Sequence, residues 1–399
     1  MLLDVISTAI ANPTLPRLVR ELDRHGVSVA VSAIILFLIV DFVQFLFSPV
    51  ILGASDAIGR RAIIIFGIVG LITSNLLRAM SADILQLAAA SVVLGIFSGV
   101  FGAAMAAVAD YTPPPMRAAR FGLMSSAVSV GYTVGPMLGG VLGDINVRAP
   151  FYAACIFSLS NLVLVFLIFR ETLPGPSRKK FELHRVTPID TVRFYNQSFN
   201  LRRLAIAYAG LQSTMAFLPV LIPIYFLQAF GWSAGKVGLY IAVMSIISVI
   251  IQAMLPGLLT ARLGPALTSA LSLAVGALGF CVIGLSSSET MLWVGAVLMP
   301  VRNVATPTIT AMMSEGVSKE KQGLLQGSNS SLFSISRMTS QIGLAVLYAF
   351  SDATGATKQA VSVPFLLAGV LLFACTAIVW SLRRSYDLAG DIPQSRSSG

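Results

Sequence analysis

SVAVSAIILFLIVDFVQFLFSPVIL (residues 28–52) runs into GASDAIGRR (53–61) and then into AIIIFGIVGLITSNLLRAM (62–80). A helix rises 1.5 Å per residue, so about 20 apolar residues cross a bilayer core about 30 Å thick. Both flanking runs reach that length, and the charged link between them reads as a tight turn outside the bilayer. Only a protein that uses the membrane as solvent needs two such runs in succession.

The rest of the chain repeats the pattern. Of 399 residues, 56% are hydrophobic and 11% charged, whereas soluble domains carry about 25% charged residues. That balance excludes a soluble enzyme, a coiled coil, a disordered protein and a disulfide scaffold. Apolar runs at 2–19, 28–52, 62–80, 85–109, 121–143, 150–169, 203–229, 237–260, 265–286, 290–314, 324–349 and 361–381 predict twelve spanning helices. The polar, Arg-, Lys- and Pro-rich segment from Arg170 to Arg203 divides them six and six. The expected organisation is a six-helix bundle over 1–169, a cytoplasmic loop over 170–202, a second bundle over 203–381 and a cytoplasmic tail over 382–399. Within the loop, Phe181–Asn200 reads as an amphipathic interfacial helix. Met1-Leu-Leu-Asp4 has no basic stretch and no cleavage site. The expectation is a very short leader, or a first helix lacking its first turns. Cys155, Cys281 and Cys375 stand in apolar runs without CxxC spacing, so no metal site is expected.

The net charge is +10. With both termini cytoplasmic, eighteen of the 27 basic residues fall on the cytoplasmic side and six on the other; Arg78, Arg302 and Arg337 stay within spans. The positive-inside rule therefore gives the orientation, and the basicity needs no nucleic acid. The chain is expected in a bacterial inner membrane as a multi-pass monomer. Gly59 and Gly264, Asp110 and Glu315, Gly122 and Gly327, and Ser125-Ser126 and Ser330-Ser331 all stand 205 positions apart. Two parallel six-helix repeats are expected to enclose a cavity near the midplane, opened to each side by rocking.

Gly53-Ala-Ser-Asp56-Ala-Ile-Gly59-Arg60-Arg61 and, in span five, Gly131-Tyr-Thr-Val-Gly135-Pro136-Met-Leu-Gly139-Gly140 resemble motifs of the major facilitator superfamily, in particular its drug/proton antiporters and tetracycline exporters. Ala109-Asp110-Tyr-Thr and Arg117-Ala-Ala-Arg120 are similar to that branch too. The resemblance implies an all-α fold of two pseudo-symmetric six-helix bundles. It also implies a cytoplasmic gate formed by Asp56, Gly59, Arg60, Arg61, Asp110, Arg117 and Arg262, latching the outward-open state. The plainer reading of Arg60 and Arg61 is topological charge alone. Leu52 and Ala57 depart from the loop pattern, where Gly and Arg are usual. In span five, Gly131, Gly135 and Gly139 lay a bare face along the helix and Pro136 bends it; the resemblance implies that this face seals the two halves against leak.

Ionisable residues mid-span are costly, about 2.5–3.5 kcal/mol each on insertion scales, and so are functional candidates. Here they are Asp4, Asp41, Arg302 and Arg337, on polar stripes with Asn12, Gln44, Thr306 and Gln341. In the family, helices one, two, ten and eleven face the cavity, which implies an acidic wall opposite a basic one. Asp41, with Asp4 second, is the expected proton carrier: burial favours proton uptake, and a nearby Arg opposes it. A fixed ion pair at Asp41 and a solvated helix end at Asp4 are the plainer readings. The expected substrate-binding residues are Arg302, Arg337, Gln44, Asn12, Thr306 and Gln341. The acidic residues of tetracycline exporters in spans three and nine correspond to about Ser74 and Gly276. Their loss beside added arginines favours an anionic or zwitterionic substrate over a cationic chelate.

No HExxH, GxSxG or P-loop occurs, and His25 and His184 lie in loops, so no enzyme is expected. The expected function is proton-coupled export of a small molecule, with no cofactor beyond the coupling proton. The alternatives are uptake or exchange of an organic anion held by Arg302 and Arg337, and a non-transporting scaffold or sensor with the same fold.

Overall fold

The computed structural model describes all residues except 24–28, 99, 113–116, 174–193, 217, 318–321, 354–361 and 387–399. For 49, 52, 101, 109, 117–123, 125, 126, 216, 220, 322–324, 326, 327, 350–353, 384 and 385 only the backbone is described. Most of the expected interfacial helix at Phe181–Asn200 therefore lies outside the described residues.

The molecule is an all-α membrane protein, and the described residues of the apolar runs are predominantly helical. Span two is Val29–Ile58, span three Arg60–Met80, span five Arg117–Ile145, span six Ala149–Ile168, span eight Ala234–Leu263, span nine Pro265–Gly284, span eleven Gln322–Ala353 and span twelve Val363–Trp380. Seven helices among the described residues are by themselves long and apolar enough to cross a bilayer. The other spans are interrupted or more polar. Span one breaks into Leu2–Ala9 and Leu15–Leu22 around Asn12-Pro13, because proline supplies no N–H to the helix ladder. Span four, one of those seven, is described over Ile84–Phe97 and Val100–Tyr111, and span seven over Phe199–Ala216 and Leu218–Ala229. Span ten passes through a 3-10 turn, Met299–Val304, between Glu289–Leu298 and Ala305–Glu315.

The 205-residue repeat is visible in the backbone. Gly59 (φ 122°) heads span three and Gly264 (φ 79°) heads span nine. Both angles are in the left-handed region, which a side chain disfavours. Each glycine N–H closes the preceding helix, Gly59 on the Ser55 carbonyl at 3.2 Å and Gly264 on the Thr260 carbonyl at 3.0 Å.

Two compact units are formed. The first holds Met1–Arg185, Phe217–Ser245 and Gln341–Val361; the second holds Val186–Ala216, Ile246–Ser340 and Ser362–Gly399. Spans seven, eight and eleven thus change unit partway along their length. In the first unit, Ile51, Ile63, Ile64, Ile68, Ala103 and Ala107 form a core closed by Leu162, Val165 and Phe169 of the span-six region. In the second, span nine packs along span twelve, with Phe280 and Phe365 fully buried. Apolar side chains also cover the outside: Phe166, Leu167 and Ile168 are 64%, 75% and 72% exposed. Such a surface is stable only in lipid.

Candidate functional site

The loop between spans two and three is built around one buried guanidinium. Arg60, 7% exposed, contacts Asp56 Oδ1 through Nη1 at 2.5 Å and Asp110 Oδ2 through Nε at 3.1 Å. Nη1 also donates to Ser55 Oγ at 3.0 Å. Two carboxylates around one Arg satisfy its planar fork of donors. Gly59 brings Arg60 and Arg61 to the start of span three, where the first backbone N–H groups lack partners within the helix. Glu171, just beyond span six, supplies them: Oε1 accepts from Arg60 N at 3.0 Å and Oε2 from Arg61 N at 3.2 Å. Burial works against this carboxylate. The N–H groups of Leu173, Arg60, Arg61 and Thr172 outweigh that effect and hold its carboxyl below the usual range. Arg61 lies over the Phe166 ring at 5.5 Å and donates to the Phe166 carbonyl at 2.8 Å. The loop therefore ties spans two, three, four and six together.

Asp56, Gly59, Arg60, Arg61 and Asp110 are brought together. Glu171 and Ser55 were not legible in the motif; the signal for Glu171 was an uncapped helix start following a glycine, facing a lone carboxylate after span six. The Arg117 side chain lies outside the described residues. Arg262, expected at the same gate, is exposed and makes no ion pair among the described residues. This difference has a physical reason: the repeat partner of Arg60 is Pro265, which carries no charge to bind an acid.

Midway along the spans, the Gln341 side chain of span eleven donates from Nε2 to Asp41 Oδ2 of span two at 2.7 Å. Gln341 is fully buried and Asp41 half-buried. Two of the expected site residues, from opposite halves of the sequence, thus meet directly. Gln44, one turn from Asp41 and half-buried, accepts from Ser48 Oγ at its carbonyl at 2.6 Å. Asp4 is half-buried near the start of span one, its carbonyl accepting from Ser7 Oγ and Thr8 Oγ1 at 3.1 and 2.9 Å. Half-buried Asn12 sits in the break of span one. Half-buried Thr306 accepts at its carbonyl from Thr310 Oγ1 at 2.8 Å. Arg337 is half-buried, its guanidinium 5.4 Å from the centre of the Phe333 ring.

Arg302 departs from the expectation of a cavity wall. It is 1% exposed, enclosed by spans seven, nine and ten. Nη1 donates to the Met299 carbonyl at 2.8 Å, Nη2 reaches Met215 Sδ at 3.1 Å, and the guanidinium stands 5.1 Å from the Phe280 ring centre. The cause is close approach: Gly276 lies so near that a Cβ there would stand 2.5 Å from Arg302 Cβ. With no side chain at 276, span ten sinks against span nine and takes the arginine inside.

The span-five glycines at the opposite end serve two partners. Gly131, Gly135 and Gly139 pack on span one: a Cβ at 131 would strike Val5, at 135 Ala9, and at 139 the Ile10 carbonyl. The contact with span eight uses the neighbouring face. A Cβ on Gly140 would stand 2.4 Å from the Ala234 carbonyl, and one on Gly238 2.4 Å from the Pro136 carbonyl, so spans five and eight touch backbone to backbone. Asp144 completes this contact, accepting from Ala234 N at 2.9 Å, Gly235 N at 2.8 Å and Arg17 Nη1 at 2.9 Å. Its carboxylate caps span eight and clamps it to spans one and five. Neither Asp144 nor Arg17 was read from the sequence, because both look like ordinary charged helix ends.

The sequence profile of the Major Facilitator Superfamily matches residues 1–341 and 204–397. The chain is 30% identical over 375 residues to the class C tetracycline resistance protein of Escherichia coli, covering 92% of this chain and 94% of that one. It is 27% identical over 341 residues to human major facilitator superfamily domain-containing protein 10, across 78% of this chain and 71% of that one. The crystal structure of that human protein, titled an organic anion transporter, overlays with a TM-score of 0.68 at 22% identity, across 95% of this chain and 96% of that one. A POT family transporter in complex with 5-aminolevulinic acid overlays with a TM-score of 0.77 at 14% identity, across 96% and 94%. Long apolar helices, glycine-headed repeats and similarity to membrane transporters over most of the chain lead to one assignment: the chain belongs to the Major Facilitator Superfamily, as a membrane transporter and not an enzyme.

Proposed function

We propose that this transporter exports a small molecule in exchange for protons, by alternating access, from the cytoplasm of a bacterium across its inner membrane. The observation that carries the reading is the Asp41–Gln341 hydrogen bond, 2.7 Å long, between spans two and eleven. Span eleven enters the unit that holds Asp41 at Gln341, so the bond lies within that unit. Asp41 would carry the coupling proton in this exchange. The Arg60 cluster would serve as the cytoplasmic latch and the Asp144 clamp as the outer one, with both termini cytoplasmic. Similarity to a tetracycline resistance protein supports the exporter reading, and the loss of acids in spans three and nine favours an anionic or zwitterionic cargo carried by a monomer. The test is substrate flux in proteoliposomes under an imposed pH gradient, wild type beside Asp41→Asn. Gradient-driven uptake that is lost in the variant supports the reading; equal uptake in both refutes the role of Asp41.

A second reading, exchange of an organic anion, is favoured by the similarity to human major facilitator superfamily domain-containing protein 10 and by the arginines in spans ten and eleven. Substrate movement that is insensitive to an uncoupler would support it.

A further inference from the structure

Span three begins at the buried Arg60 and ends near a second buried guanidinium that no acid answers. Arg78 stands in the last turn of Arg60–Met80 and is 7% exposed. Helical side chains lean toward the N-terminus of their helix, so its donors reach back into the span. A guanidinium offers five N–H donors and no acceptor. Nη2 donates to Ser91 Oγ of span four at 3.1 Å, whereas Nε–H is buried with no acceptor among the described residues. Asn75, three residues earlier and 2% exposed, has the same defect: its Nδ2 is buried without an acceptor. Residues three apart share a helix face, with about 5–6 Å between their Cβ atoms. Two neighbouring side chains on one face of span three therefore hold unanswered N–H groups.

The surroundings supply no counter-charge. No ion pair joins Arg78 among the described residues. Asp83, the nearest acid in sequence, accepts from Gln86 N at 2.8 Å as the N-cap of Ile84–Phe97. The hydroxyls of Ser74 and Ser91 donate to the carbonyls of Ala90 and Leu87, at 2.9 Å each. The rest of the buried face of that helix is Leu87, Ala90, Leu94 and Gly95, none with a side-chain acceptor. A buried cation without a partner is costly, and orphaned buried polar groups in a native protein mark a water or an ion that completes them. Water would answer the N–H groups and leave the charge. An anion answers both, and the close contact of Ser74 with the Ala90 carbonyl favours a small one.

We propose that Arg78 and Asn75 hold a small monovalent inorganic anion, chloride in most settings, between spans three and four. Nε–H of Arg78 and an Nδ2–H of Asn75 donate to it, and its charge cancels that of the guanidinium. Asn75, Arg78 and Ser91 all belong to the first compact unit. The anion is therefore a fixed component of that unit and not cargo, and the site does not depend on the direction or the coupling of transport.

The experiment is thermal unfolding of the purified full-length protein in nanodiscs, with sodium chloride replacing sodium gluconate at constant ionic strength. The wild-type midpoint should rise saturably with chloride, by about 2–4 °C once the site is filled. Arg78→Met, which removes the charge and keeps much of the volume, should lose the response. Asn75→Leu should raise the half-saturating chloride concentration about tenfold, as for loss of a hydrogen bond to a charged group. Arg262→Gln, at an exposed arginine, should respond as wild type does. Crystals grown in bromide should show an anomalous peak between Arg78 Nε and Asn75 Nδ2. A wild-type midpoint that ignores chloride, or a response that persists in Arg78→Met, would overturn the proposal. Should Arg78→Met not fold, an unchanged half-saturation in Asn75→Leu would overturn it instead. Acetate that stabilises as well as chloride would refute the assignment to a small inorganic anion.

Discussion

The turns at Gly59 and Gly264 begin from the same backbone device and end in different chemistry. Both glycines have positive φ, both close the preceding helix, and both head a span of nearly equal length. Beyond the glycine, the first repeat places Arg60-Arg61 and the second Pro265-Ala266. The first helix start therefore needs an acceptor for two N–H groups and obtains Glu171. In the second, proline has no N–H at its first position and is already set for a helix. Arg60 gathers Asp56 and Asp110, whereas Glu315, the repeat partner of Asp110, has no ion pair among the described residues. The fold needs the turn twice; the charged latch is built once.

Substitutions at these turns should rank accordingly. Arg60→Ala would leave Asp56 and Asp110 without their shared cation, and should cost about 2 kcal/mol in thermal or denaturant unfolding in detergent. That is less than for a wholly buried pair, because the two acidic side chains keep 39% and 27% exposure. Gly59→Ala and Gly264→Ala should each cost on the order of 1–2 kcal/mol, and nearly equally, since both place a Cβ at positive φ; a large difference between them would show that the turns are not equivalent. Glu171→Gln should cost about 1 kcal/mol, as for loss of a helix cap. Because the folded Glu171 carboxyl ionises below its ordinary 4.5, its contribution is fully present above that pH and is lost as pH falls through the depressed value. Glu171→Gln should therefore be less stable than wild type near neutrality, and its profile should be flatter on the acid side, where wild type loses this contribution. Arg262→Ala, at an exposed residue, should stay within about 0.5 kcal/mol. A large effect there would mean that the second turn carries a latch after all.

Much of this architecture could be read from sequence. Seven of the twelve apolar runs are helices long and apolar enough to cross a bilayer among the described residues, because bilayer thickness fixes the length of each. The 205-residue offset located both turns, because positive φ leaves glycine little competition. The partners of the charges were harder to read. Asp41 and Gln341 stand 300 positions apart, and no helical period relates them. Arg302 sits on a polar stripe with Thr306 and Thr310, yet it is interior, because the space that admits it is left by Gly276 on another helix. Glu171 and Asp144 look like solvated helix ends until the helices that they cap are placed beside them. Local patterns report how each span meets lipid; the charges answer to neighbours from distant sequence.

The exchange reading turns on whether the carboxylate at position 41 moves the proton. Proteoliposomes carrying an internal pH dye, loaded with substrate and challenged with an outward substrate gradient, would register proton entry coupled to substrate exit. Wild type should acidify the lumen as substrate leaves; Asp41→Asn should release no proton-coupled substrate while retaining substrate binding. Lumenal acidification of undiminished rate in Asp41→Asn would contradict the account.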